Sequence, residues 1–242
     1  NWKAGTSFTN DASSTGIGSI DSTGSVNTDA GFSIVSYTGN GSNGASFSHG
    51  LNVKPKIVLI KNRTTAKNWV YWQDTTNNGT SDVRLCLNLT NANFNNFHVT
   101  FGTSTITLGD TDDAWNKSGD NLIAYCFAEK QGYSKIGSYT ANGSSTDNSF
   151  IYTGFKVGWL MIKKTSGTSN WTIWDSVRQS NEINKPLWGD LNSAEAAQST
   201  VKLDLLSNGF KIRGNGSNVG SSGGSYIYMA FAENPFVTST GV

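Results

Sequence analysis

The sequence predicts an all-β fold of two tandem, internally homologous β-sandwich-like modules with turn-rich loops. Three observations carry that reading. Residue types that favour strands are abundant and helix formers are scarce, while 27 Gly and many Asn, Asp and Ser supply turns. The chain repeats itself in a constant register. Turn signals recur about every 8–12 residues, the spacing of a sandwich or barrel.

Composition places the chain among folded proteins. Only 36% of residues are hydrophobic and 14% charged, but 12% are aromatic, 8 of them Trp, which is enough apolar area to offset the ordering entropy. With 3 Pro, collagen and polyproline linkers are excluded.

The repeat is the strongest signal. Tyr37-Thr38-Gly39-Asn40-Gly41-Ser42 recurs as Tyr139-Thr140-Ala141-Asn142-Gly143-Ser144, 102 residues on. The same offset relates Ile60-Lys61 to Ile162-Lys163, Asn68-Trp69 to Asn170-Trp171, Trp72 to Trp174, and Leu89 and Ala92 to Leu191 and Ala194. Phe127-Ala128-Glu129 returns as Phe231-Ala232-Glu233 at an offset of 104, so two residues were gained in between. A constant register over separated blocks marks two copies of one unit.

Each half reads as strands divided by turns. Residues 57–60 and 159–162 are short continuous apolar runs, expected of strands covered on both faces. Polar turns follow, then strands at 69–73 and 171–175, which makes a hairpin in each half. The last strands are expected at 122–128 and 226–232. Residues 193–199 are a short insertion with at most a helical turn. Residues 6–30 are Ser, Thr, Gly, Asn and Asp with few apolar positions and read as a linker, with one extended stretch at 17–20. The chain opens Asn1-Trp2-Lys3-Ala4-Gly5, like the middle of a longer protein. The expected division is 1–30 for the end of a preceding module plus linker, 31–131 for the first repeat and 132–242 for the second.

Several function classes are disfavoured. The net charge is +1 and no cationic run exceeds Lys163-Lys164, so the counterion release that drives nucleic-acid binding has no source. No apolar run approaches the roughly 20 residues of a membrane helix. Cys86 and Cys126 read as reduced, buried thiols. With two His and no C-x-x-C, no metal centre or cofactor is expected.

Candidate residues weigh towards structure. His49 and His98 have no counterpart in the other repeat, and Ser48-His49 reads as a turn leading into Leu51 rather than a nucleophile and its base. Glu129 and Glu233 are repeat equivalents, which suggests one structural role used twice rather than a glycosidase pair. Asp110, Asp112 and Asp113 are the weak candidates for Ca²⁺, but the spacing lacks the terminal Glu of an EF-hand loop and the second repeat has Asn215-Gly216-Ser217-Asn218 there. Trp69, Trp72, Trp171 and Trp174 recur and read as core. Trp115 and Trp188 do not recur and sit beside turn-rich sequence, which makes them candidates for exposed ligand contacts. Asp175 and Arg178 read as an ion pair bracing a turn.

A family resemblance joins these observations. Gly31-Phe32-Ser33-Ile34-Val35-Ser36-Tyr37-Thr38-Gly39-Asn40-Gly41 resembles a repeated module of large tail-fibre-like proteins of marine bacteriophages. So do Gly137-Ser138-Tyr139-Thr140, Ile162-Lys163-Lys164, Ile173-Trp174-Asp175-Ser176-Val177-Arg178, Asn208-Gly209-Phe210-Lys211-Ile212-Arg213 and Ala230-Phe231-Ala232-Glu233-Asn234-Pro235-Phe236. The resemblance covers about residues 31–237. It implies a location on the virion surface, in a tail fibre rather than the capsid, in a protein made in the host bacterial cytoplasm. It implies no catalytic residues. The expectation is a non-catalytic segment that attaches to a host glycan or protein by multivalent weak binding. Its partners would be other copies of itself, as a trimer by analogy with fibres, and other virion proteins. The alternative is a purely structural virion component: a capsid decoration, head fibre or spacer. A third reading, a polysaccharide-degrading spike, would require paired acids in a cleft.

Overall fold

A computed structural model of the chain describes residues 5–96 and 98–235. The preceding-module strand expected over residues 1–4, and Phe236 of the resemblance, lie outside them. The chain divides into two compact units. The first comprises Asn1–Leu87 and Phe94–Glu129, and the second Asn88–Asn93 and Lys130–Val242.

The first unit contains β1 (Thr6–Asn10), the short helix α1 (Ala12–Thr15), β2 (Ser22–Asn27), β3 (Phe32–Thr38), β4 (Ser46–Ser48), β5 (Ile57–Asn62), β6 (Val70–Gln73), β7 (Val83–Cys86), β8 (Val99–Phe101), β9 (Thr105–Leu108) and β10 (Asn121–Phe127). They form a sheet of order β1-β2-β3-β10-β5-β6-β7 and a smaller sheet β4-β9-β8. The second unit contains β11 (Ser134–Thr140), β12 (Phe150–Tyr152), β13 (Val157–Lys164), β14 (Thr172–Asp175), β15 (Leu187–Trp188), β16 (Leu203–Leu206), β17 (Gly209–Ile212) and β18 (Ser225–Ala232). Its sheets run β11-β18-β13-β14-β15 and β12-β17-β16. All the strand pairings are antiparallel, and from β3 onward the two units share one strand order.

Each core lies between its two sheets, because strand alternation turns every second residue inward. In the first unit Val35, Val58, Ile60, Trp72 and Ala124 from the large sheet meet Phe47, Phe101 and Ile106 from the small one. In the second, Leu160, Ile162, Trp174, Tyr226 and Tyr228 meet Ile151, Leu203, Phe210 and Ile212. The same tie recurs in both. The Tyr37 hydroxyl donates to the Trp115 carbonyl at 2.7 Å, and that of Tyr139 to the Val219 carbonyl at 2.8 Å. Each joins the first repeat strand to the loop before the last one.

Two expectations need correction. Residues 6–30 are not a linker: β1 pairs with β2 from Thr6↔Val26 to Asn10↔Ser22, and β2 pairs with β3 along its length. Short polar side chains give these strands little apolar signature, and the edge of β3 supplies the pairing groups that fix them. Nor are the two halves contiguous. Asn88–Asn93 belongs to the second unit. The fully buried Lys163 donates to the Thr90 carbonyl at 3.3 Å, to Asn91 at 2.9 Å and to Lys164 at 2.8 Å. Desolvation lowers its pKa to about 8, against the smaller opposing pull of Asp190. Ser169 N–H adds a bond to the Thr90 carbonyl at 2.9 Å.

Trp174 is wholly buried, and among the described residues its indole N–H has no partner. The side chain therefore stabilises the second core by packing while carrying a desolvation cost of about 1–3 kcal/mol. Truncation to Ala is expected to destabilise the protein by about 3–5 kcal/mol. Trp174→Phe keeps an aromatic ring and removes the orphan donor, so it should cost less than half as much. Urea denaturation of the two variants checks the ratio, and equal losses would contradict the packing account.

Candidate functional site

Five strand ends converge at one end of the first unit's large sheet: the C-terminal ends of β1, β3 and β5 and the N-terminal ends of β2 and β10. They enclose an open cleft of about 590 Å³. Its walls are hydroxyls and amides, including Thr9, Thr23, Ser36, Thr38, Thr64 and Asn121, with Asp11, Asp21 and Arg63 as its charged groups.

Local chemistry holds these groups in place. Asp11 caps α1: its Oδ1 accepts from the Ser13 hydroxyl at 2.7 Å and from Ser14 N–H at 3.1 Å. Those bonds, the Ser13 hydroxyl first, hold its carboxyl below the usual carboxylate range. Oδ1 of Asp21 accepts from Ala12 N–H at 2.9 Å, which ties the β2 end to the helix and leaves Oδ2 free of that bond. On the far wall Arg63 N–H donates to the Asn121 carbonyl at 2.9 Å, and Asn121 N–H donates to Thr64 Oγ1 at 2.9 Å. The exposed Arg63 guanidinium makes no ion pair among the described residues. The cleft floor is the buried Tyr37, whose hydroxyl is committed to Trp115. Such a wall offers donors and acceptors at fixed positions with one cation and two anions, an arrangement that suits a hydroxylated ligand.

The sequence candidates fall elsewhere. Trp115 is not an exposed contact: it is 1% exposed and meets Trp72 edge-on with ring centroids 5.0 Å apart. Its repeat equivalent, Val219, is also fully buried, so the position is apolar in both units although the residue type differs. Trp188 is half-buried and packs against the second core. Trp72, Trp171 and Trp174 are buried. Trp69, expected as core, is half-buried and tilts against Tyr125 with ring centroids 6.0 Å apart. Asp110, Asp112 and Asp113 make a turn: Asp110 accepts from Asp112 N–H at 3.0 Å, Asp112 from Ala114 N–H at 2.8 Å, and Asp113 pairs with Lys67 at 3.3 Å. Among the described residues no group of three or more His, Cys, Asp or Glu converges. Glu233 pairs with Lys156 at 2.7 Å, and Arg178 bridges Asp175 and Glu195. Cys86 and Cys126 are buried thiols with no disulfide between them, and burial pushes the Cys126 thiol up to about 12. The cleft residues escape sequence reasoning because Asp11 and Asp21 lie in the segment taken for a linker and Arg63 in a turn. The one available signal is that both acids stand in a region otherwise poor in charge.

A family model described as a domain of unknown function, DUF7483, matches residues 1–235. It thus spans both units and the N-terminal strands together. No curated protein and no solved structure matches the chain.

His49 has a structural role. It is fully buried, its Nδ1 accepts from Leu51 N–H at 3.2 Å, and Nε2 lies 3.2 Å from the Gly102 carbonyl. With Nδ1 accepting, Nε2 carries the proton and donates. Burial lowers the pKa from 6.5 to about 4, against the smaller effect of the Gly102 bond. The unfolded chain therefore takes up the proton first, and stability falls as pH drops from 6.5 through 4. At about 1.4 kcal/mol per pKa unit, the complete loss is on the order of 3 kcal/mol. Thermal melts between pH 7.5 and 4 should show that decline, and His49→Gln should start less stable but lose less between pH 6.5 and 5. Parallel declines in the two proteins would remove His49 as the cause.

Proposed function

The chain belongs to the DUF7483 family, and we propose that it acts as a non-catalytic attachment segment of a virion surface fibre, binding a host-surface glycan weakly in the first unit's cleft and gaining strength from repetition. The observation that carries the binding reading is the cleft itself, whose hydroxyl and amide lining includes the exposed Arg63 and Asp21. Hydroxyl–hydroxyl exchange with water gives little net free energy per bond, about 0.5–1.5 kcal/mol, so a single site of this kind binds weakly. Several copies on one fibre raise the effective concentration and multiply avidity by about 10²–10⁴. Sequence resemblance to tail-fibre modules supports the virion location and the homo-oligomer, with a trimer as the working expectation.

The same cleft offers the best test of the hydrolytic alternative, since Asp11 and Asp21 both line it. A glycosidase acid needs a carboxyl kept protonated near neutral pH, usually by burial. Asp11 is exposed, and its hydrogen bonds move its pKa the other way. That favours binding over cleavage. A purely structural role in a capsid decoration, head fibre or spacer is the second reading, and the continuous strand pairing through both sheets of each unit is compatible with it.

Multimerised protein on a glycan array is expected to bind a subset of glycans. Arg63→Ala and Asp21→Asn should each weaken that binding about tenfold or more at an unchanged melting temperature, because Arg63 is exposed and Asn keeps the Oδ1 acceptor for Ala12 N–H. Absence of binding to arrays and to host cells, with label mapping to the capsid, would favour the structural reading. Release of oligosaccharides from a bound polymer would establish the hydrolytic one.

A further inference from the structure

The second unit carries a feature that the first lacks. β12 is an edge strand with Ile151 turned into the core and Phe150 and Tyr152 turned out, 45% and 64% exposed. The pairings Phe47↔Ile106 and Ile151↔Phe210 align β4 with β12, so the first unit has Ser46 and Ser48 where the second has the two rings. The fold therefore works without aromatic side chains at these positions.

The rings are seated. A Cβ on Gly209, opposite Tyr152 in the pairing, would lie 3.1 Å from the Phe150 ring, and one on Gly154 would lie 3.5–3.7 Å from the Tyr152 side chain. Each ring thus lies beside a glycine that leaves room for it. Two residues along a strand put the rings about 6.6 Å apart on one face, the scale of a sugar ring. Lys211, opposite Phe150, pairs with Asp147 at 2.6 Å, and Arg213 lies 3.0 Å from Asp204. The charges beside the rings are therefore internally balanced, and the Asp147 carboxylate of the first pair stays exposed, its side chain 81% accessible.

We propose that Phe150 and Tyr152 form a second binding site, an aromatic platform for an uncharged polysaccharide. The apolar C–H face of a pyranose covers a ring, and the flanking ion pairs supply hydrogen bonds to its hydroxyls. Area argues against a second protein chain as occupant. Covering both rings removes roughly 200–250 Å², against about 800 Å² per partner in a stable interface. Balanced charge argues against a polyanion, for which unpaired Lys or Arg would be needed. The site stands apart from the cleft and does not depend on it.

Affinity electrophoresis of the whole chain through gels containing a neutral glucan, a neutral galactan or a polyuronate tests the proposal. Retardation by at least one neutral polymer is expected. Phe150→Ala and Tyr152→Ala should each weaken it about tenfold, and Tyr152→Phe should retain most of it. The double Ala variant should abolish it at an unchanged melting temperature, while Arg63→Ala should leave it intact. Retardation that survives the double variant would overturn the site, as would preference for the polyuronate or no retardation by any neutral polymer. A wild-type oligomer that the double variant converts to monomer in sedimentation velocity would reassign the face to contact between copies.

Discussion

In both units the last described strand in the sequence occupies an interior position of the main sheet. β10 pairs with β3 on one side and β5 on the other, and β18 with β11 and β13. Neither large sheet is continuous until that strand is in place, so the stability of each unit rests on contacts spanning most of its length. The tyrosine ties secure the approach. Tyr37 and Tyr139 hold the loop that leads into the final strand by its carbonyl at Trp115 or Val219. The cleft follows from the same constraint, since its walls are the ends of β3, β10 and β5 together with the β1–β2 hairpin laid on the β3 edge.

The two repeats agree inside and differ outside. Val58 and Ile60 have Leu160 and Ile162 as counterparts, and Trp72 has Trp174, all fully buried. The β4 and β12 positions that flank the inward residue diverge freely: Ser46 and Ser48 against Phe150 and Tyr152. Only the first unit has an added hairpin from residues 6–27, and with it the cleft. The two units thus share one strand order while their surfaces differ, in keeping with function residing in sites rather than folds.

How much of this the sequence discloses depends on which side of the pleat a residue occupies. Inward positions are constrained by packing, so the strands at β5, β6, β10, β13, β14 and β18 are legible from apolar runs and their recurrence. Trp115 shows the limit of recurrence taken residue by residue: comparing polarity rather than identity pairs it with Val219 and places it in the core. β1 and β2 are illegible for another reason. Thr6-Ser7-Phe8-Thr9-Asn10 and Ser22-Thr23-Gly24-Ser25-Val26-Asn27 hold their place by backbone bonds to one another and to β3, which any side chain permits. The placement of Asn88–Asn93 depends on a buried ammonium from a residue about 70 positions away, a contact that no local pattern encodes. Phe150 and Tyr152 are visible only against Ser46 and Ser48, a match that runs at an offset of 104, two residues out of the 102 register that holds before and after it.

Charge gives the two surfaces a common logic. Lys156, Lys202, Lys211, Arg178 and Arg213 each have a carboxylate partner within the second unit. In the first unit Asp74 pairs with Lys54 at 3.7 Å, and Asp120 is held by Asn62 at 2.7 Å and by Lys117 at 3.9 Å. With a net charge of +1 the overall field is weak, which gives little long-range steering of a charged partner. In the two proposed sites a ligand would be held by short-range terms: hydrogen bonds in the cleft and stacking on the platform. Those terms are individually weak and nearly independent of ionic strength. A protein relying on them gains affinity by multiplying sites, either within the chain through two unlike surfaces or between chains through assembly, and both routes use the duplication already present in its fold.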